Sequence, residues 1–164
     1  MNLQFKKFDG TLIKNVGEYV KDWVIENPYG NIIIGCDSQE YSRYIKYAIT
    51  IVMHYIDEFE IGHGGHVIYA IYIDKSKNMK SDVYTKLWAE AVITISMGKM
   101  IGNIGGKKPT LHLDYNSKET EYSHVMYNAG IGFALQEGFE AFGKPYAYAA
   151  SNTADKIAKK SGRN

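Results

Sequence analysis

The chain has 164 residues, enough to bury a real core, and is most simply one domain spanning residues 1–164. Its formal net charge of +1 rules out a polyanion binder recognised by bulk charge alone, although a local basic patch would suffice for one. Cys36 is the only cysteine, which excludes an intrachain disulfide framework or a thiolate zinc site, and no apolar segment has the length of a membrane span, so a cytoplasmic protein is expected.

The stretch "GEYVKDWVIENPYGN" sets Tyr19, Val20, Trp23 and Val24 at helical spacing and stops at Asn27 and Pro28, so residues 1–30 are expected to form an N-terminal helical extension. In "NIIIGCDSQE" (residues 31–40) three isoleucines lead through a glycine and a cysteine to Asp37, and the polarity then switches. A buried charge is costly unless it is paired or binds a metal, so the run reads as a central strand that carries Asp37 to the rim of a sheet.

A second strand, "YIKYAITIVMHYI" (residues 44–56), alternates Ile45, Tyr47, Ile49, Ile51, Met53 and Tyr55 against a set that contains Lys46, Thr50 and His54. A third, "HVIYAIYID" (residues 66–74), is rich in β-branched and aromatic side chains, and Gly62, Gly64 and Gly65 between the two are the expected hairpin glycines. The fourteen tyrosines suit such a β-rich framework.

The period then changes. Residues 81–102 read as a long helix with Ser81 as N-cap and Tyr84, Leu87, Trp88, Ala91 and Ile95 as its apolar face. "PTLHLDYN" is a strand, "EYSHVMYNAGIGFALQEG" a helix weakened by Gly130 and Gly132, and "KPYAYAAS" a last strand. "SNTADKIAKK" is a last helix capped by Ser151, Asn152 or Thr153. Right-handed crossovers then predict an α/β fold with a mixed five-stranded sheet of order 3-2-1-4-5, the second strand antiparallel and the first central, flanked by helices.

In such a sheet, sites gather beyond the carboxyl ends of the strands, where two strands deliver Asp37 and Asp114. Glu90, in "LWAEAV", falls beside Val83, Thr94, Met97 and Ile101 at the edge of the buried helix face, and Asp155 lies in the first turn of the last helix. Singly, Asp155 reads as a helix-dipole contact and Asp37 as a strand-end turn residue. Together, four carboxylates brought close raise one another's pKa values unless a cation intervenes. Hard divalent cations prefer such oxygen ligands, and a pair of them stabilises both attacking and leaving oxygens in phosphodiester cleavage.

These residues also carry a resemblance. "IIIGCDSQ" is similar to an Ile-Gly-Thr-Asp-Ser-Gln strand, "LHLDYN" to a His-x-Asp strand, and "KPYAYAASNTADKIAKK" to a Lys-Pro-x-Ala-x-Ala-Ala-Ser-x-x-Ala-Asp end, in that order. On these pieces the chain resembles the YkuK-like family of predicted nucleases with a ribonuclease H-like fold, from about residue 8 to residue 160. Cys36 stands where that pattern has threonine, and "DYNSKETEYS" replaces a more glycine-rich stretch. The resemblance implies a metal-dependent acid cluster of Asp37, Glu90, Asp114 and Asp155, with Asp82 or Asp74 as substitutes for Glu90, and two Mg²⁺ or Mn²⁺ ions as cofactors.

Ser38, Gln39, His112, Lys156, Lys159 and Lys160 are the candidates for contact with a nucleic-acid substrate. Their structural alternatives are a buried, hydrogen-bonded histidine at His112 and solvated surface for the basic runs "GGKKP" (Lys107, Lys108) and "DKIAKKSGR" (with Arg163). Other constellations are weaker. "HGGH" (His63, His66) lacks further close ligands for zinc, and "GNIGGKKP" lacks the Gly-Lys-Ser/Thr of a phosphate loop. Cys36 must point away from the face of Asp37, so a cysteine nucleophile assisted by His112 and Asp114 is disfavoured. An actin-like ATPase would need two such domains. The expected function is therefore a divalent-metal-dependent nuclease working by a two-metal-ion mechanism. The alternative is a non-catalytic nucleic-acid-binding or protein-interaction domain on the same fold, and the orientation of Glu90 separates the two.

Overall fold

The computed structural model describes residues 3–75, 82–116 and 124–160. Two short strands, β1 (Phe5–Lys6) and β2 (Leu12–Ile13), precede helix α1 (Val16–Glu26), whose N-cap Asn15 accepts a bond from the Glu18 backbone N–H. Val20, Trp23 and Val24 are the buried residues of α1, as the spacing requires. The N-terminal extension is thus helical only in part. Its two strands pair with each other, and β1 adds to the sheet at Lys6, opposite Tyr69.

The isoleucine run opens β3 (Asn31–Tyr41), which pairs along its full length with β4 (Tyr44–Ile56), and β4 pairs in turn with β5 (Gly62–Asp74). Strand β3 does not stop at Asp37 but continues four residues beyond it, to Tyr41. The β4–β5 turn occupies residues 57–61, with Glu60 at φ 63°, and the three glycines lie inside β5 instead of forming the turn. Asp57 supplies what the glycines were expected to supply. Its carboxylate accepts the Phe59 and Ile61 N–H groups and bonds His63, closing the turn through a side chain.

Helix α2 (Val83–Ile101) has Asp82 as its N-cap, accepting from Thr85 N, while Ser81 lies outside the described residues. Its buried face is Leu87, Glu90, Ala91, Thr94, Met97, Gly98 and Ile101, flanked by Ile93 and Ile95. Tyr84 and Trp88 stay substantially exposed, so the face is rotated relative to the one expected, and Glu90 sits within it. Trp88 instead stacks on Phe133 of helix α3 (His124–Gln136), with ring centroids 5.5 Å apart. Between the helices runs β6 (Thr110–Asn116), parallel to β3.

The last strand, β7 (Ala141–Lys144), lies earlier than "KPYAYAAS". A cis Lys144-Pro145 bond ends it, and residues 149–154 form a π-helical turn that runs directly into α4 (Asp155–Lys160), so the last helix starts earlier and needs no Ser or Asn cap. Among the described residues the sheet has seven strands, in the order β2-β1-β5-β4-β3-β6-β7. Its run β5-β4-β3-β6-β7 is the expected mixed order, and β1 and β2 extend it at the β5 edge. The main core, on the α1–α2 side, joins Ile32, Ile34 and Cys36 to Ile49, Ile51, Met53, Ile93 and Ile95.

Candidate active site

Alternation along β3 decides which layer each acid meets. Asp37 shares its face with Ile33 and Gly35. On that face Ile33 and Val52 pack against Ala149, and Ala48, the partner of Asp37 across the ladder, packs against Ala154, Ile157 and Ala158. Gly35 stands beside His112 of β6, whose Nδ1 accepts the Ala149 N–H at 3.2 Å. Asp114, two residues on, therefore shares that face. Asp37 and Asp114 thus belong to the face covered by residues 149–160, the segment that itself carries Asp155.

The β3–β6 register runs to Gly35 and His112, and both aspartates lie just past it, where the strands part. The β6–β7 ladder is also irregular between His112 and Asn116. Asp114 thus stands where the sheet opens on both sides of its strand.

Glu90 comes from the other layer. It is 3% exposed, and Ser38 Oγ, on the opposite face of β3 from Asp37, donates to Glu90 Oε1 at 2.6 Å. The second oxygen, Oε2, is buried with no hydrogen-bond partner among the described residues. Burial pushes the Glu90 carboxyl up to about 8, against the Ser38 bond that lowers it, with Asp37 and Asp114 adding to the rise and Lys86 opposing it. Asp37 is raised to about 6, chiefly by burial and then by the charges of Asp114 and Asp155, while the Ser38 N–H and Lys86 pull the other way. Glu90 and Asp37 thus both feel the charge of Asp114, although Glu90 approaches from the far side of the sheet.

Lysines answer part of this charge. Lys144 Nζ lies 3.0 Å from Asp114 Oδ1, an ion contact without aligned hydrogen-bond geometry, and Lys159 holds both oxygens of Asp155, at 2.6 and 2.9 Å. Sequence reading did not single out Lys86 or Lys144. Lys86 was legible as the residue one helical turn before Glu90, and Lys144 belongs to the "KP" motif.

The residues expected to meet substrate divide. Gln39 is half-buried, its amide donating weakly to the Glu40 carbonyl at 3.4 Å, and Lys156 and Lys159 are exposed beside Asp155. Ser38 and His112 are turned inward: Ser38 holds Glu90, and His112, 3% exposed, bonds the backbone of Ala149 and packs edge-on against Phe142 and Tyr148. Desolvation lowers the His112 imidazole to about 4, consistent with a neutral ring that accepts a backbone proton. The side chain of Lys160 and all of Arg163 lie outside the described residues.

Lys107 bonds the carbonyls of Pro28 and Gly30, and Lys108 that of Gly138, so the "GGKKP" pair fastens loops. Of the substitutes considered for Glu90, Asp82 is engaged as a helix cap. His63 bonds Asp57 and His66 bonds the Tyr19 hydroxyl, so the two histidines of "HGGH" serve separate contacts.

The donor set suits a hard divalent cation: every candidate ligand is a carboxylate, and two buried carboxylate oxygens, Glu90 Oε2 and Asp114 Oδ1, have no hydrogen-bond partner among the described residues. The lysine-paired arrangement is nevertheless an open one. Among the described residues, no group of three or more His, Cys, Asp or Glu side chains is placed to hold a metal ion. No described helix is long and apolar enough to cross a membrane. No curated protein and no solved structure matches the chain significantly. The sequence model of the family described as Ribonuclease H-like matches residues 11–159, nearly the whole chain, and the order β5-β4-β3-β6-β7 agrees with the fold that the YkuK-like resemblance implied. The chain belongs to the ribonuclease H-like family.

Proposed function

We propose that the chain is a divalent-metal-dependent nuclease that cleaves phosphodiester bonds with two Mg²⁺ or Mn²⁺ ions. The observation that supports this reading best is the electrostatic one: Asp37 is held near 6 by burial and by Asp114 and Asp155, an arrangement that disfavours itself until a cation arrives. Asp37, Asp114, Asp155 and Glu90 would hold the ions, which when bound supply charge stabilisation to the attacking and leaving oxygens. The chain's own residues prepare that site. Ser38 fixes one oxygen of Glu90, and the other has no hydrogen-bond partner among the described residues. Lys144 and Lys159 keep Asp114 and Asp155 neutralised, and exposed Lys156 offers a further cation to a phosphate backbone.

The second reading, a nucleic-acid-binding or protein-interaction domain without catalysis, is favoured by one specific feature. Glu90 faces Ser38 from the layer opposite the three aspartates.

Mn²⁺ calorimetry combined with cleavage of single-stranded, duplex and hybrid oligonucleotides separates the two. The nuclease reading expects Mn²⁺ uptake and cleavage in the wild type, with both lost in a folded Asp37→Asn variant. Cleavage at wild-type rate in Asp37→Asn overturns the assignment of the site. Oligonucleotide binding without Mn²⁺ uptake or cleavage establishes the second reading.

A further inference from the structure

Lys46 is 2% exposed, on the same face of the sheet as Asp37, and among the described residues no carboxylate forms a salt bridge with it. A buried ammonium without an anion is costly, and a methionine of similar volume would fill the space with no charge to desolvate. Packing therefore does not account for a lysine here. Its partners do: Nζ donates to the carbonyls of Ile157 at 3.0 Å and Ala158 at 2.7 Å, both on α4, the helix that begins at Asp155.

The other end of the same segment is fastened in the same way. Thr50 Oγ1 lies 3.1 Å from the Ala149 carbonyl, and the Ala149 N–H donates to His112. Between these two anchors lies Asp155. The apolar contact beneath α4 sets Ala154, Ile157 and Ala158 against Ala48, with partly buried Tyr69 and Ile71 packed alongside, and the polar bonds add direction to that contact.

We propose that Lys46 is a positioning residue for Asp155: with Thr50 and His112 it forms a latch that fastens residues 149–158 to the sheet and so delivers the last carboxylate to the aspartates of β3 and β6. The inference rests on the reading of Asp155 as a metal ligand, and it assigns to a buried lysine, outside the acid cluster, control over how well that cluster binds its cation.

Mn²⁺ affinity measured by calorimetry on the full chain, for the wild type, Lys46→Met, Asp155→Asn and the double variant, tests the coupling. Lys46→Met is expected to weaken Mn²⁺ roughly 10- to 100-fold, the range for residues that orient a metal ligand from behind. Because Lys46 acts through Asp155, the double variant should bind no more weakly than Asp155→Asn alone, and Lys46→Arg should recover part of the loss. Hydrogen exchange supplies an independent readout: in Lys46→Met, amides of residues 149–158 lose protection while those of β3 and β4 keep theirs. Unchanged Mn²⁺ affinity in Lys46→Met, or losses that simply add in the double variant, overturns the proposal.

If Lys46→Met fails to fold, Thr50→Val removes a single hydroxyl from the latch. A milder form of the same pattern supports the proposal, and wild-type affinity and exchange refute it. If the wild type takes up no Mn²⁺, the metal reading fails by itself. The latch is then judged by exchange, where unchanged protection of residues 149–158 overturns it and selective loss sustains it.

Discussion

The acids around β3 differ by depth more than by face: Asp37, on the rim face, is itself raised to about 6, chiefly by burial. On the α2 face, Glu90 is sunk among apolar side chains, has one hydroxyl partner, and is pushed up to about 8, so at neutral pH it keeps its proton. On the other face, Asp114 and Asp155 are nearer to solvent and each is paired with a lysine. Depth sets the difference. A carboxyl placed in an apolar layer is discharged by desolvation, whereas one at the rim has water and an ammonium within reach. A cation that uses both faces would have to ionise Glu90 and displace or share the lysines.

The largest expected effect tests that contrast through pH. Glu90 and Asp37, raised to about 8 and about 6, bind protons more tightly in the folded chain than in the unfolded one. Their contribution to stability is therefore full below the ordinary carboxylate range and is lost as pH rises through 6 and towards 8, a loss on the order of several kcal/mol without metal. Urea midpoints taken between pH 5 and pH 8 should fall for the wild type and stay much flatter for Glu90→Gln. A flat wild-type profile would break the comparison.

Next in size is Gly130→Ala, on the α2–α3 side. An added Cβ would sit 2.1 Å from the ring of Tyr115, which is fully buried and anchored by a 2.8 Å bond to the Leu87 carbonyl. Overpacking of about 1–3 kcal/mol should outweigh the gain in helix propensity, read as a lower denaturation midpoint. Ser38→Ala, which leaves the Glu90 carboxyl without its donor, should cost roughly 1–2 kcal/mol and raise the Glu90 pKa further, measurable by carboxyl NMR titration. On the rim face, Lys159→Ala removes an exposed pair one helical turn apart and should change thermal stability by no more than about 0.5 kcal/mol. A rim substitution that costs more than the buried Ser38 would reverse the ranking of the two faces.

Much of this was legible in the chain. The uninterrupted isoleucines announced a central strand because only a strand covered on both faces tolerates them, and the change of period at residue 82 announced the crossover helix. Asp37 and Asp114 could be carried to one rim of the sheet because each ends an apolar run, but their common face depended on the β3–β6 register, which no local pattern fixes.

What escaped depended on tertiary detail. The orientation of α2 was misjudged because Tyr84 and Trp88 are amphipathic enough to lie at the surface, which left Glu90 and Thr94 to face the sheet. "KPYAYAAS" has the composition of a strand, yet Ala149 takes its hydrogen bonds from His112 and Thr50 instead of a neighbouring strand, a choice made by side chains far away in sequence. Lys46 was visible as the lone cation in an apolar alternation, but nothing local named its partners.

Those partners have a kinetic consequence. Three of the bonds that fasten the Asp155 segment, those from Thr50 and Lys46, join residues 99, 111 and 112 positions apart, and the His112 bond spans 37, whereas the β3–β4 and β4–β5 ladders are closed by short turns. Closing a loop of that length is entropically the hardest step to take early, so contact-order reasoning puts the meander first and the arrival of Asp155 last. Docking of the segment that carries Asp155 is then expected to be a late event, and that segment is the part expected to open locally while the sheet stays folded.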